Sequence, residues 1–275
     1  MRLREYADAI SLYTSVSRPE IISRKDELIS TLNKAINFLS NEQKSYSKIP
    51  LDLEEKKKNL RGLLNQRMPG IIPNDISLIL DRILWTERVE KGIVELKETE
   101  AVWRGDITQL QVDAIVNAAN SDMLGCFHPL HACIDNAIHS AAGPQLREDC
   151  HKIMKLQGIR EQTGCAKITK AHNLPSKYVV HTVGPIVEST LSEKHRSLLA
   201  SSYKSCLDLA SNLEDIRSIA FCCISTGVFG YPKEEAAITA IKAVREWKKE
   251  NPDRFDRIIF NVFTEKDYDI YKRHI

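Results

Sequence analysis

Four short apolar runs after Gly92 constrain this chain more than any other feature. They are VDAIVNAAN (Val112 to Asn120), YVVHTVG (Tyr178 to Gly184), SIAFCCIS (Ser218 to Ser225) and RIIFNVF (Arg257 to Phe263). Each is rich in β-formers and lacks the strict alternation of a half-exposed strand, so each predicts a strand buried on both faces. Helical stretches lie between them, near His131 to Ala142, Glu193 to Asn212 and Lys233 to Glu250. Strands and helices in this order predict an α/β layered domain with helices on both faces of the sheet. Ligands of such domains sit at the carboxyl ends of the strands, where loops meet helix N-termini.

Ahead of Gly92 the chain is nearly free of glycine and its apolar residues recur at helical spacing. Leu28, Leu32, Ile36 and Leu39 form one stripe, and Leu53, Leu60 and Leu64 a second behind Pro50 and Asp52. Ile76, Leu80, Ile83 and Leu84 form a third behind Pro73, with Asn74 as the expected N-cap. Residues 1–92 therefore predict a small helical extension and residues 93–275 the α/β domain. Apolar faces of this kind need burial, so the extension is expected to pack on the domain. The run EEKKKNLR (Glu54 to Arg61) reads as a solvated helix face.

Composition narrows the function classes. Of 275 residues, 39 are basic and 37 acidic, a formal net charge of +2, which does not suggest a nucleic-acid binder. The N-terminus lacks the apolar core of a signal peptide, and no run of about 18 apolar residues predicts a membrane span. Seven cysteines are an odd number, which argues against a disulfide framework and for a reducing, cytoplasmic setting. Cys222 and Cys223, adjacent in an apolar run, read as buried small hydrophobes.

Chemistry concentrates at the predicted strand ends. STGVFGYP (Ser225 to Pro232) closes a strand and precedes a helix, and its glycines permit close backbone approach. Free N–H groups feeding a helix N-terminus make an anion cradle, although a plain turn accounts for the same residues. Asp106, after Gly105, either accepts from an exocyclic amine or caps a turn. The stretch GCFHPLHACIDNAIHSAAG (Gly125 to Gly143) holds Cys126, His131 and Cys133 within eight residues. Thiolates and an imidazole are zinc donors, and catalytic zinc has three protein ligands with a fourth position open. His131 and Cys133 are two apart, so a regular helix would point them away from each other; a metal site requires a loop there. Simple packing and a Cys–His nucleophile pair are the competing readings, and His128 is an alternative fourth ligand.

Several motifs in order then identify a resemblance. GDITQLQVDAIVNAAN, CIDNAIHSAAG, TGCAKITKAHNLPSKYVVHTVGP and ISTGVFGYP together resemble the macrodomains, modules that bind ADP-ribose, from about Ala101 to Phe263. The resemblance implies a three-layer α/β/α sandwich around a mixed sheet. MLGCFHPLHAC (Met123 to Cys133) stands where the commoner hydrolytic macrodomains carry a glycine run. It is similar to the zinc-dependent macrodomains of bacteria, which implies one zinc per chain on Cys126, His131 and Cys133; the helical extension resembles that subgroup as well.

By the same resemblance Asp106 would bind the adenine amino group beside the Ile107 backbone. Asn117 and Asn120 would face the distal ribose. Ser225, Thr226, Gly227, Val228, Phe229 and Gly230 would wrap the pyrophosphate, with Phe229 against the distal ribose. Phe263 would lie near adenine, and Asp135 would act with Asn120 in catalysis, its pKa lowered by the metal. His139 and His181 read as structural. The implied activity is hydrolytic removal of mono-ADP-ribose from protein side chains by cleavage at the anomeric carbon. The implied partners are ADP-ribose, a mono-ADP-ribosylated protein, and a lipoylated carrier protein modified by a sirtuin. A non-catalytic ADP-ribose reader and an interaction protein with a structural zinc are the alternatives.

Overall fold

The computed structural model describes residues 1–45, 48–96 and 100–275. Three helices come first: α1 (Lys25–Glu42), α2 (Leu53–Gln66) and α3 (Asn74–Lys91). The Asp52 side chain caps α2 by accepting the Glu55 N–H, while α3 is entered through Pro73 with no side-chain cap. Asn74 is therefore the first helical residue of α3 rather than its N-cap, because the fixed φ of Pro73 already sets the turn. All four residues of the first predicted stripe are buried, and with Leu60, Leu63, Leu80 and Ile83 they form a core belonging to the helices alone.

The sheet has six strands in the order β1-β6-β5-β2-β4-β3. They are β1 (Glu100–Arg104), β2 (Ala114–Ala119), β3 (Ala166–Lys170), β4 (Tyr178–Val183), β5 (Ser218–Phe221) and β6 (Arg257–Val262). All neighbours are parallel except β3, which pairs antiparallel with β4 at one edge. The four predicted runs supply β2, β4, β5 and β6, each shorter than the apolar run that carries it. In SIAFCCIS the strand stops at Phe221; Cys222 is buried as expected, but Cys223 is half-buried, its thiol donating to the Asn261 carbonyl at 3.6 Å.

One face carries α4 (Ile134–Ala142) and α5 (Pro144–Gln157), the other α6 (Glu193–Ser211), α7 (Lys233–Glu250) and α8 (Glu265–His274). The chain leaves β2 toward β4 on one side and returns through α6 to β5 on the other. The carboxyl ends of β2 and β5 therefore border the crevice where strand order reverses.

The extension packs against the domain through a polar seam. α2 and α3 lie on α4, and the Arg147 side chain donates to the carbonyls of Leu64 and Arg67. Gln145 and Asn173 both donate to Asp81 Oδ1, at 2.8 and 2.6 Å. This corrects the reading of EEKKKNLR. Glu54, Glu55 and Lys58 face solvent, but Lys56 is buried on Asn33 and Arg61 reaches across to Asn136. The reason is that α2 is covered on both sides, by α1 and by α4.

The first residues of the expected extension pack apart from its helices. Tyr6, Ala7, Ile10 and Leu12 belong to the α/β core, not to the helical one. The Tyr6 hydroxyl accepts the Ile168 N–H at 3.0 Å and so caps an otherwise unpaired donor on edge strand β3. Among the described residues no helix is long and apolar enough to cross a membrane. Tyr6→Phe strands that buried N–H and is expected to cost about 1–3 kcal/mol, read as a lower urea midpoint at unchanged slope.

Candidate active site

The site begins where β2 ends. Asn120 Oδ1 accepts the N–H groups of Asp122 (3.0 Å) and Met123 (3.1 Å), and its amide donates to the Gly125 carbonyl (3.2 Å). These bonds fold the following loop back over α4. Gly125 has φ +81°, and a Cβ there would lie 2.8 Å from the His139 ring, so the close crossing needs glycine. The loop then brings Cys126 Sγ to 3.6 Å from His131 Nδ1, and one donor atom each of Cys126, His131 and Cys133 lie within 4.8 Å of one another. Cys133 is the N-cap of α4, its sulfur accepting the Asn136 N–H. The predicted helix from His131 thus starts only at Ile134, which frees all three donors from helical geometry.

This donor set fits zinc. Zn–S near 2.3 Å and Zn–N near 2.0 Å at a tetrahedral angle place sulfur and nitrogen roughly 3.6 Å apart, the Cys126–His131 separation found here. Burial, with Cys126 and Asp135 adding to it, pushes the Cys133 thiol up to about 11, so paired thiolates at this point need a cation between them. His128 is exposed and outside the donor cluster; it packs edge-on against the His131 ring at 5.5 Å. A four-ligand structural site built with His128 therefore finds no support in this geometry.

Behind the loop lies a buried polar pair. Asn117 is fully buried, and its amide donates to Asp135 Oδ1 at 2.8 Å, with Asn120 Nδ2 at 3.5 Å from Oδ2. Asn117, expected to face the distal ribose, thus holds Asp135 from a fully buried position. His181 backs Asn117 at 3.2 Å and meets the Thr169 hydroxyl at 3.0 Å; it is buried and held neutral, in keeping with a structural role. His139 is likewise buried neutral, 3.6 Å from Asp135. Burial raises the Asp135 carboxyl to about 6, partly countered by the Asn117 amide and Arg147.

The opposite lip is the loop after β5. Ser225 sits at φ +67° and the loop closes through Gly230 N–H to the Gly227 carbonyl and Tyr231 N–H to the Ser225 carbonyl. Among the described residues the N–H groups of Gly227, Val228 and Phe229 have no backbone partner, which leaves them for an anion. Gly184, just past β4, lets this loop approach: a Cβ there would lie 2.1 Å from Ser225 Oγ. Thr226 and Phe229 are part-buried, whereas Val228 projects into solvent.

At the expected adenine end, Asp106 caps a turn and its side chain is part-buried. Its Oδ1 accepts the N–H and hydroxyl of Thr108, while Ile107 is buried beneath. Phe263 follows β6, whose Val262 carbonyl accepts the Gly105 N–H, so an exposed ring stands beside the Asp106 turn.

Sequence reasoning missed the residues that the extension contributes. Asn65 accepts the Leu130 N–H at 2.9 Å and donates to Ser140 Oγ at 2.8 Å; it clamps the Cys–His–Cys loop to α4. The usable signal was a polar residue directly behind Leu63 and Leu64 on a buried stripe. Arg61 holds Asn136, whose amide in turn holds the His128 carbonyl at 3.0 Å. Arg147 stacks on Phe127 at 4.3 Å and donates to the Leu124 carbonyl.

The family model described as Macro domain matches residues 116–240. A protein of Treponema medium named protein-ADP-ribose hydrolase is 48% identical over 250 residues, which cover 86% of this chain and 95% of that protein. This chain belongs to the Macro domain family. A second protein of that name, from Staphylococcus aureus strain MRSA252, is 44% identical, covering 82% of this macrodomain chain and 86% of its own. Two solved folds agree. The Oceanobacillus iheyensis macrodomain with ADP shares 38% identity at TM-score 0.56, over 63% of this chain and 87% of that one. The Trypanosoma brucei macrodomain in complex with ADP-ribose shares 31% at TM-score 0.57, over 74% and 91%.

In this macrodomain Asn65→Ala leaves the Leu130 N–H without its partner. The expected result is a stability loss of about 1–3 kcal/mol and faster alkylation of Cys126 and Cys133 in chelator-treated protein, mapped by mass spectrometry.

Proposed function

We propose that this macrodomain is a zinc-dependent hydrolase that removes mono-ADP-ribose from modified protein side chains. The observation that carries the reading is the convergence of Cys126, His131 and Cys133 beside Asn120 and Asp135, at the strand ends that border the crevice. The names of the relatives point to the same activity. A non-catalytic reader has no need of this donor set.

In this reading Asp106 Oδ2 accepts the adenine amine, with the Ile107 backbone beside it and the Phe263 ring near the base. The N–H groups of Gly227 to Phe229 take the pyrophosphate, and Ser225, Thr226 and Gly230 shape that loop. Phe229 packs against the distal ribose. Cys126, His131 and Cys133 would hold zinc, which would supply Lewis acidity when bound. Asp135 accepts a proton from the water that attacks the anomeric carbon as the bond from that carbon to the protein side chain breaks, and the proton is passed on to the departing side chain. Beside a bound cation the carboxyl is ionised at neutral pH and can accept that proton. Asn117 and Asn120 keep the carboxylate in place.

Single-turnover release of ADP-ribose from a mono-ADP-ribosylated protein tests this, with a modified lipoylated carrier protein as the first substrate. Wild type is expected to carry about one zinc, and Cys126→Ala, His131→Ala or Cys133→Ala to lose it together with activity. Full turnover by metal-free protein would overturn the zinc assignment. Asp135→Ala is expected to retain zinc and ADP-ribose binding while slowing release by roughly 10²- to 10⁴-fold. Normal turnover in that variant, folded and zinc-loaded, removes Asp135 from the mechanism.

A further inference from the structure

The helical extension reaches the opposite corner of the site as well. Arg88 lies in the last turn of α3 and is 4% exposed. Its Nη1 donates to Thr108 Oγ1 at 2.5 Å. The Thr108 hydroxyl then spends its one proton on Asp106 Oδ1, at 2.7 Å, and the Thr108 N–H adds a second bond to the same oxygen at 3.0 Å. Each donor polarises the next, so the chain from guanidinium to hydroxyl to carboxylate is cooperative. Asp106 Oδ2 is left outside this chain, with Arg88 Nη1 4.0 Å away.

That arrangement does two things to Asp106. It fixes the carboxylate plane, because Oδ1 is held by two donors on one residue. It also sets a buried positive charge 4.0 Å from Oδ2, the oxygen outside the Thr108 bonds. Arg88 has little other reason to be buried here: its Nε is sealed from water with no partner among the described residues. Burial pulls its pKa down, and Asp106 is the first group to counter that pull, ahead of Glu87. A guanidinium sunk into a seam at this cost is expected to have a specific carboxylate to serve.

We propose that Arg88 is a positioning residue for adenine recognition, acting from the extension through Thr108 on Asp106. The inference rests on the ADP-ribose reading above. It makes the extension part of the ligand site and not only a cap on the fold. The residue selects the base: an aligned Oδ2 acceptor suits a 6-amino group and repels a 6-oxo oxygen. A site organised to take an N–H discriminates strongly against an analogue that lacks it.

The test uses the full zinc-loaded chain, calorimetry, and two ligands: ADP-ribose and its hypoxanthine analogue, in which oxygen replaces the 6-amine. Wild type is expected to prefer ADP-ribose. Arg88→Ala should reduce that preference about five-fold or more, raise KM and leave kcat unchanged. The truncated side chain adjoins a polar cavity of about 70 Å³ lined by Arg61, Lys91 and Asp106, into which water can enter, so the fold should tolerate the change. Arg88→Lys should recover only part of the preference, because an ammonium lacks the planar fork. In an Asp106→Ala background Arg88→Ala should have no further effect. An Arg88→Ala protein that keeps its preference, weakens both ligands equally, or adds its effect to that of Asp106→Ala overturns the proposal. If Asp106→Ala itself leaves the preference intact, the adenine subsite is wrong and the inference falls with it, whatever Arg88 does.

Discussion

Asn117, fully buried, and Asp135, nearly so, meet at 2.8 Å, and the rest of the site is arranged around that bond. It joins the end of β2 to the first turn of α4. A buried carboxylate without a donor would cost several kcal/mol, so strand and helix cannot slide past each other without breaking the pair. Cys133 caps the same helix, and Asn120 follows the same strand. The spacing of the Cys–His–Cys loop is therefore set at both of its ends. His181 and Thr169 extend the constraint to β4 and β3, so four elements share one polar network.

The helical extension completes this design from the outside. Its own core is apolar and separate, and it joins the α/β domain mainly through side chains that make hydrogen bonds. An apolar seam would hold the two bodies together without fixing their register. Polar bonds with defined partners fix it, because any shift leaves buried donors and acceptors unpaired. Asn65 and Arg61 settle the loop next to the proposed metal, and Arg88 settles the turn at the proposed adenine end. Both ends of the candidate ligand path thus lean on residues of the helical extension.

The backbone around the crevice is shaped by two close approaches. Gly125 lets the loop pass over the His139 ring, and Gly184 lets the Ser225 turn settle against β4. Either substitution would push a lip of the crevice outward. Ser225 itself holds a left-handed φ without being glycine, a strain of order 1–3 kcal/mol that the surrounding bonds must maintain.

What the sequence determined by itself was whatever depends on local pattern. Unbroken apolar runs marked β2, β4, β5 and β6, and helical stripes marked α1 to α3, because burial on two faces or on one leaves a period that can be read. The edge strands β1 and β3 and the helices α5 and α8 escaped notice, since their apolar residues are few and interrupted by charged ones. The cysteines, the histidine and the Ser225 loop were legible as residue types at telling spacings, and order among motifs gave the family. Only the tertiary structure decided that Asn117 supports Asp135, that Tyr6 belongs to the α/β core, and that Lys56 and Arg61 turn inward from a run that looked solvated. It alone placed Asn65 and Arg88 at the site. These contacts join residues 18 to 162 positions apart, and hydrogen bonding over such separations leaves no periodicity in the chain. It exists only once two cores have formed and their surfaces meet.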